Sequence, residues 1–252
     1  MEPVATFRRL WKLTWLELKI FVREPLGFVG SVGVPVVISL LLATVARPAR
    51  NAGGNVARLS ESVPAFSVLI FTISAVVSLV TIVSIYRESG ILKRLRATPL
   101  GPAVILSAHV AVKLLLTVVT LVVVGLLGHR FYPVATSVPL LSFGLAVLFA
   151  CWSILSIGFV IASLVPTARL AQPFAALIFY PQIAMSGLFY PISMLPDPIA
   201  SVVRRLPLTA ATSLIDGVWR GEGWAAHGSD VVTLGVTLLL SLGLSAKIFR
   251  WE

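Results

Sequence analysis

Charge is what this sequence has least of. Aspartate, glutamate, lysine and arginine make up 12% of its 252 residues, against roughly 25% in an ordinary soluble domain. That shortage excludes a soluble fold of this length, whose surface needs far more charge. Acids are the scarcer sign. The ten are Glu2, Glu17, Glu24, Glu61, Glu88, Asp197, Asp216, Glu222, Asp230 and Glu252, and all are expected in loops or at helix ends. Carriers driven by protons or sodium place carboxylates within the membrane, so a proton relay is disfavoured, while a carbonyl-lined ion site stays open. Lysine occurs at 12, 19, 93, 113 and 247. None follows a glycine or precedes Ser or Thr, so the phosphate-cradling loop of an ATPase is missing. The three histidines, His109, His129 and His227, lack metal-ligand spacing. Ser107 lies near His109, but residues two apart on a helix do not face each other. The single cysteine, Cys151, can form no internal disulfide and reads as a packing residue.

What is present is apolar and continuous. Hydrophobic residues make up 58% of the chain and its mean hydropathy is +0.98. The apolar residues come in long runs, not in the short alternating segments of a barrel. Lipid satisfies no backbone polar group, so such runs must be helices. The expected fold is therefore an all-α integral membrane protein, a single transmembrane domain over residues 1–252. Six spans are predicted, at 28–46, 64–85, 103–127, 139–164, 170–188 and 231–249. Each is near the ~20 residues that cross ~30 Å of hydrocarbon. Residues 3–24 lack the unbroken apolar core of a signal peptide. They are amphipathic instead. Phe7, Leu10, Trp11, Thr14, Trp15, Leu18, Phe21 and Val22 fall on one side, and Arg8, Arg9, Lys12, Lys19 and Arg23 gather on another. That pattern predicts a helix lying in the headgroup layer. Residues 189–228 hold Pro191, Pro196 and Pro198, and an apolar run broken by Arg204 and Arg205. Their apolar pieces are too short to span and predict short interfacial or re-entrant helices.

The net charge is +10. The cations lie in short loops beside apolar runs, which suits anionic lipid. No polar domain exists to present a nucleic-acid-binding face. With the N-terminus inside, the inner segments hold Arg8, Arg9, Lys12, Lys19, Arg23, Arg87, Lys93, Arg94, Arg96, Arg169, Lys247 and Arg250. The outer ones hold Arg47, Arg50, Arg58, Arg130, Arg204, Arg205 and Arg220. Twelve against seven predicts both termini in the cytoplasm.

His109 and Lys113 stand four residues apart within the third span. Either they make an anion contact or interhelical bond, or Lys113 hydrogen-bonds to backbone, or the helix begins later than 103. The loop between the second and third spans is more telling. It reads Tyr86-Arg-Glu-Ser-Gly-Ile-Leu-Lys-Arg-Leu-Arg-Ala-Thr-Pro-Leu-Gly-Pro102. Ile91, Leu92 and Leu95 form an apolar face and Pro99 ends the helix. Two readings stand on these residues alone: a plain positive-inside loop, or a rigid docking knob for a cytoplasmic partner.

The run Tyr86 to Leu100 resembles the coupling segment of the type 2 ATP-binding-cassette (ABC) permeases. Met185-Ser-Gly-Leu-Phe-Tyr-Pro-Ile-Ser-Met-Leu-Pro196 is similar to the end of that family's fifth span, and the basic N-terminal helix to its connecting helix. The order of segments matches over nearly the whole chain, with the daunorubicin-type drug-exporter permeases the nearest flavour. The resemblance implies a permease subunit that exports an amphipathic drug, lipid or lipid-linked glycan from the cytoplasm across the inner membrane. It implies a second permease subunit, identical or not, and two copies of a cytoplasmic ABC ATPase. ATP and Mg would bind that ATPase, and this chain would bind no cofactor. Arg87, Glu88, Ile91, Leu92, Lys93, Arg94 and Arg96, within a coupling segment at 87–102, would meet it. Arg8, Arg9, Trp11, Lys12 and Trp15 would belong to the connecting helix. Phe71, Phe179, Tyr180, Gln182 and Met185 would line the path, with Pro173 and Pro181 kinking the fifth span. Phe189, Tyr190 and Pro191 would open the outer gate. The rival expectations are a membrane assembly or lipid-processing factor without transport, and an ion-coupled carrier.

Overall fold

The computed structural model describes residues 3–23, 63–91, 101–131, 140–165, 167–187 and 191–248, with single positions between 29 and 41. The described residues form helices and no strand. The helices are α1 (Pro3–Arg23), α2 (Val63–Glu88), α3 (Gly101–Phe131), α4 (Leu140–Leu164), α5 (Ala168–Met185), α6 (Asp197–Val203), α7 (Pro207–Trp219) and α8 (Gly228–Ile248), with short 3-10 turns at Ile192–Met194 and Trp224–His227. Of the predicted first span, 28–46, only scattered positions between 29 and 41 are among the described residues.

Among the described residues, four stretches are long and apolar enough to cross a membrane: Val68–Glu88, Val104–Val123, Leu140–Leu164 and Trp224–Ser245. They fall on the second, third, fourth and sixth predicted spans. The fifth, α5, is an 18-residue helix that includes Arg169, Gln172, Pro173, Pro181 and Gln182, and it is the least apolar of the set. α2 and α3 are rich in β-branched residues, which would favour strands in water. In hydrocarbon only a helix closes every backbone bond within the segment. Proline and glycine mark the ends. Pro198 and Pro207 stand in the first turns of α6 and α7, where no amide donor is needed. α2 stops at Gly90, whose φ of +69° is the left-handed conformation that glycine adopts without penalty.

The core is built around α4, which packs against α8, α2 and α7; α5 lies on α2, and α1 lies on α3. Val76, Leu79 and Val80 of α2 meet Ile154 and Leu155 of α4 in full burial. The close approach is set by Gly158, where an added Cβ would stand 3.2 Å from Val76 Cγ1 and 3.4 Å from Leu79 Cδ2. Small residues of this kind let helices pack tightly where lipid gives no hydrophobic drive for association. Cys151 is buried on the same seam, its Sγ 2.9 Å from Thr72 Oγ1, in the packing role expected. α7 has 13 residues, about 20 Å at 1.5 Å per residue, too short to span. Leu208, Leu214, Ile215 and Val218 pin it to the core.

Gly158→Leu is expected to spread α2 from α4 and to cost about 1–3 kcal/mol, the usual range for overpacking. Thermal unfolding in detergent, beside Gly144→Leu at an open position, checks this.

Candidate functional site

The loop that begins at Ser89 leaves α2 through its last two residues, and these two make long-range bonds. Arg87 Nη1 donates to the carbonyls of Ala162 and Ser163, at 3.2 and 3.1 Å. Those are carbonyls of the last turn of α4, left without intrahelical donors. A cation there also meets the negative end of the helix dipole. Glu88 Oε2 accepts from the Ala168 amide at 2.7 Å. Ala168 opens α5, and its N-cap residue, Thr167, makes no side-chain cap. Glu88 therefore supplies the cap from another helix, an interaction worth about 1 kcal/mol. Neighbouring residues on α2 thus hold the end of α4 and the start of α5. Ile91 is half-buried. Leu92, Lys93, Arg94 and Arg96 lie outside the described residues.

The N-terminal helix seats on α3 along one seam. Leu10, Leu13, Thr14, Glu17, Leu18 and Phe21 are half-buried, at the i, i+3, i+4 spacing of one helix face. Trp11 and Trp15, expected with the apolar side, are 64% and 54% exposed. They flank the seam, with Arg8 and Lys12 exposed beside them and Lys19 Nζ 5.6 Å from the Trp15 ring. The side chain of Arg9 lies outside the described residues.

Glu17 corrects an expectation. It sits inside α1, on the seam, and not at a helix end. Its Oε2 is 3.5 Å from His109 Nδ1. Lys113, 3% exposed, donates to Ser78 Oγ of α2 at 3.0 Å and lies 4.6 Å from the Phe21 ring. Its charge also acts on the Glu17 carboxyl. Tyr86 stacks beside His109 at 5.7 Å. The two basic groups of the third span are thus interhelical, and α3 begins at Gly101, earlier than predicted. Burial pushes the Glu17 carboxyl above its ordinary value, and Lys113 pulls it only part of the way back. Sequence reasoning named neither Glu17 nor Ser78 as a partner. The available signal was that Glu17 is the sole acid of a basic helix.

The path residues separate. Phe179 is fully buried in the core, whereas Tyr180 is 63% exposed. Gln182 Nε2 donates to the Ile178 carbonyl at 3.2 Å, while its buried Oε1 has no hydrogen-bond partner among the described residues. Met185 is half-buried. Leu170, Pro173, Phe174, Leu177, Pro181 and Ala184 expose a continuous face of α5. The side chain of Phe71 lies outside the described residues, as do Phe189 and Tyr190; Pro191 is half-buried and precedes the Ile192–Met194 turn.

At the far end is a second polar cluster that sequence reasoning missed. His227 lies 3.0 Å through Nδ1 from Asp230 Oδ2 and 2.9 Å through Nε2 from Glu222 Oε2. Ser213 Oγ donates to Asp230 Oδ2 at 2.7 Å. Gly221, φ +86°, turns the chain so that Glu222 N reaches the Gly217 carbonyl at 2.9 Å. Gly217 also leaves the room that the His227 ring occupies. The cluster ties α7 to α8, and Trp224 Nε1, donating to Ser142 Oγ at 2.8 Å, ties both to α4.

Comparison with protein families matches the chain to the ABC-2 type transporter model over residues 8–218. None of the curated proteins matches the chain.

The raised Glu17 carboxyl fixes the sign of a pH effect. Docked α1 holds that proton more tightly than free α1. The Glu17 contribution to docking therefore grows as pH falls from neutral through the raised value, and levels off below the ordinary value of 4.5. In amide exchange across Leu10–Phe21 in lipid nanodiscs, corrected for intrinsic rates, that contribution should appear as a slowing over the window relative to Glu17→Gln.

Proposed function

We infer the function from one premise: the chain belongs to the ABC-2 type transporter family, and is a membrane-spanning permease component of an ABC transporter that associates with an ABC ATPase. We propose that it is a six-span subunit of an inner-membrane exporter, with both termini in the cytoplasm. It pairs with a second permease subunit and is served by two ATPase copies, which bind the ATP and Mg. The substrate class is an amphipathic drug, lipid or lipid-linked glycan. Hydrolysis belongs to the partner.

The observation that carries this reading is the Arg87–Glu88 stitch. The segment from Ile91 to Arg96 meets the ATPase through Leu92, Lys93, Arg94 and Arg96. Arg87 and Glu88, at its root, pass its displacement to the end of α4 and the start of α5. α5 carries the exposed face of Leu170, Phe174, Leu177 and Tyr180, and the two prolines within it free backbone carbonyls. A stroke at the docking segment therefore moves the helix with the open apolar face. Tyr180, Gln182 and Met185 line the path and Phe179 supports them from the core side. Phe71, from the second span, is a further path residue on the family resemblance. Phe189, Tyr190 and Pro191 form the outer gate. The N-terminal helix, through Arg8, Arg9, Trp11, Lys12 and Trp15, rides on the headgroup layer as the second contact with the ATPase.

Co-purification of the tagged chain with the ATPase encoded beside it tests this. Wild type should bring the ATPase down, and Arg94→Glu should lose it while keeping its thermal stability. If wild type retains no ATPase in any nucleotide state, the docking reading is wrong.

A further inference from the structure

We propose that Glu17, His109 and Lys113 are positioning residues: a polar pin that sets the register of the N-terminal helix on the α2–α3 hairpin. The proposal rests on the exporter reading for its purpose, though not for its geometry.

The seam between α1 and α3 is otherwise apolar: Leu10, Leu13, Leu18 and Phe21 are its half-buried members beside Thr14 and Glu17. Apolar packing is non-directional. Sliding α1 by one turn, about 5.4 Å, would exchange one leucine contact for another. α1 carries five cations, Arg8, Arg9, Lys12, Lys19 and Arg23, and Glu17 is its single acid. That acid occupies the seam, opposite the basic groups His109 and Lys113 of α3. A one-turn slip would part the carboxylate from both and leave Lys113 as a buried cation without its anion. The apolar part of the seam tolerates the slip and the pin does not.

The pin also reaches both arms of the hairpin that carries the docking segment. Lys113 lies on α3, and the Ser78 that it donates to lies on α2. Ser78 is ten residues before the end of α2, and Lys113 is twelve after the start of α3. Both stand about 15–18 Å from the segment. A displacement of the hairpin is therefore felt at Glu17 at one defined height.

Burial raises the Glu17 carboxyl and the Lys113 charge lowers it only in part. Buried pairs of this kind are often matched or bettered in stability by apolar residues, and their best-attested use is to specify register. The pin therefore predicts a separation of effects that an ordinary structural salt bridge would not give.

The test uses the full chain in lipid nanodiscs, with spin labels at Lys12→Cys on α1 and Ser89→Cys beyond α2. Cys151 is buried and escapes labelling. With Glu17 and Lys113 intact the label-to-label distance should be one narrow distribution. In Glu17→Gln and in the volume-conserving Glu17→Leu/Lys113→Met variant it should broaden or split by about one turn, 5.4 Å, at a melting temperature no lower than wild type. In complex with the ATPase, hydrolysis stimulated by the permease should fall several-fold in both variants. A distribution as narrow as wild type in either variant overturns the proposal, as does a drop in melting temperature for both. If wild type recruits no ATPase, the exporter reading fails while the register measurement still stands.

Discussion

Hydrocarbon solvates neither backbone amides nor charge, and every other feature of this chain depends on that constraint. Helices satisfy their own interiors, so the difficulty concentrates at helix ends and at the few ionisable residues between them. The structure answers both with the same few side chains. Arg87 takes the last carbonyls of α4, Glu88 takes the first amide of α5, and Lys113 is shared among Ser78, the Phe21 ring and the charge of Glu17. Hydroxyls inside the helices, such as Thr72 and Thr117, bond back to carbonyls four residues earlier.

The consequence is mechanical. Apolar helix faces slide over one another at little cost, while a polar contact in a low-dielectric setting has one good geometry. Polar contacts join the described helices at a few points. On the side of the loop that follows α2 those points include the Arg87–Glu88 stitch and the contact of Glu17 with His109. At the other end a single knot, His227 with Glu222, Asp230 and Ser213, joins the short helix α7 to α8. Between the two lies the α2–α4 seam at Gly158, where an added Cβ would crowd Val76 and Leu79.

Much of this was legible in the sequence. Long apolar runs located α2, α3, α4, α5 and α8 to within a few residues, because the length of hydrocarbon to be crossed sets the length of the run. Proline and short apolar pieces announced α6 and α7. α5 proved the least apolar helix, since Gln172, Gln182 and two prolines interrupt it. The polar contacts were not legible. His109 and Lys113 stood out as a pair, but the acid that faces them lies more than ninety positions earlier, on a separate helix. The acids had been expected at helix ends, and Glu17 is not at one. Periodicity gives the face of a helix; it does not give the neighbour that the face will meet. Phe179 and Tyr180 show the same limit, since adjacent aromatics point one into the core and the other out of it.

The account stands or falls on whether motion at the docking segment reaches α5 through Glu88. Fluorescence energy transfer between dyes at Thr167→Cys, at the root of α5, and Leu244→Cys, on α8, measures this in the complex with the ATPase. The account predicts a nucleotide-dependent change in that distance with Glu88 in place, and its loss in Glu88→Gln with the ATPase still bound. An equal change in Glu88→Gln, or none in wild type while ATP is being hydrolysed, would contradict it.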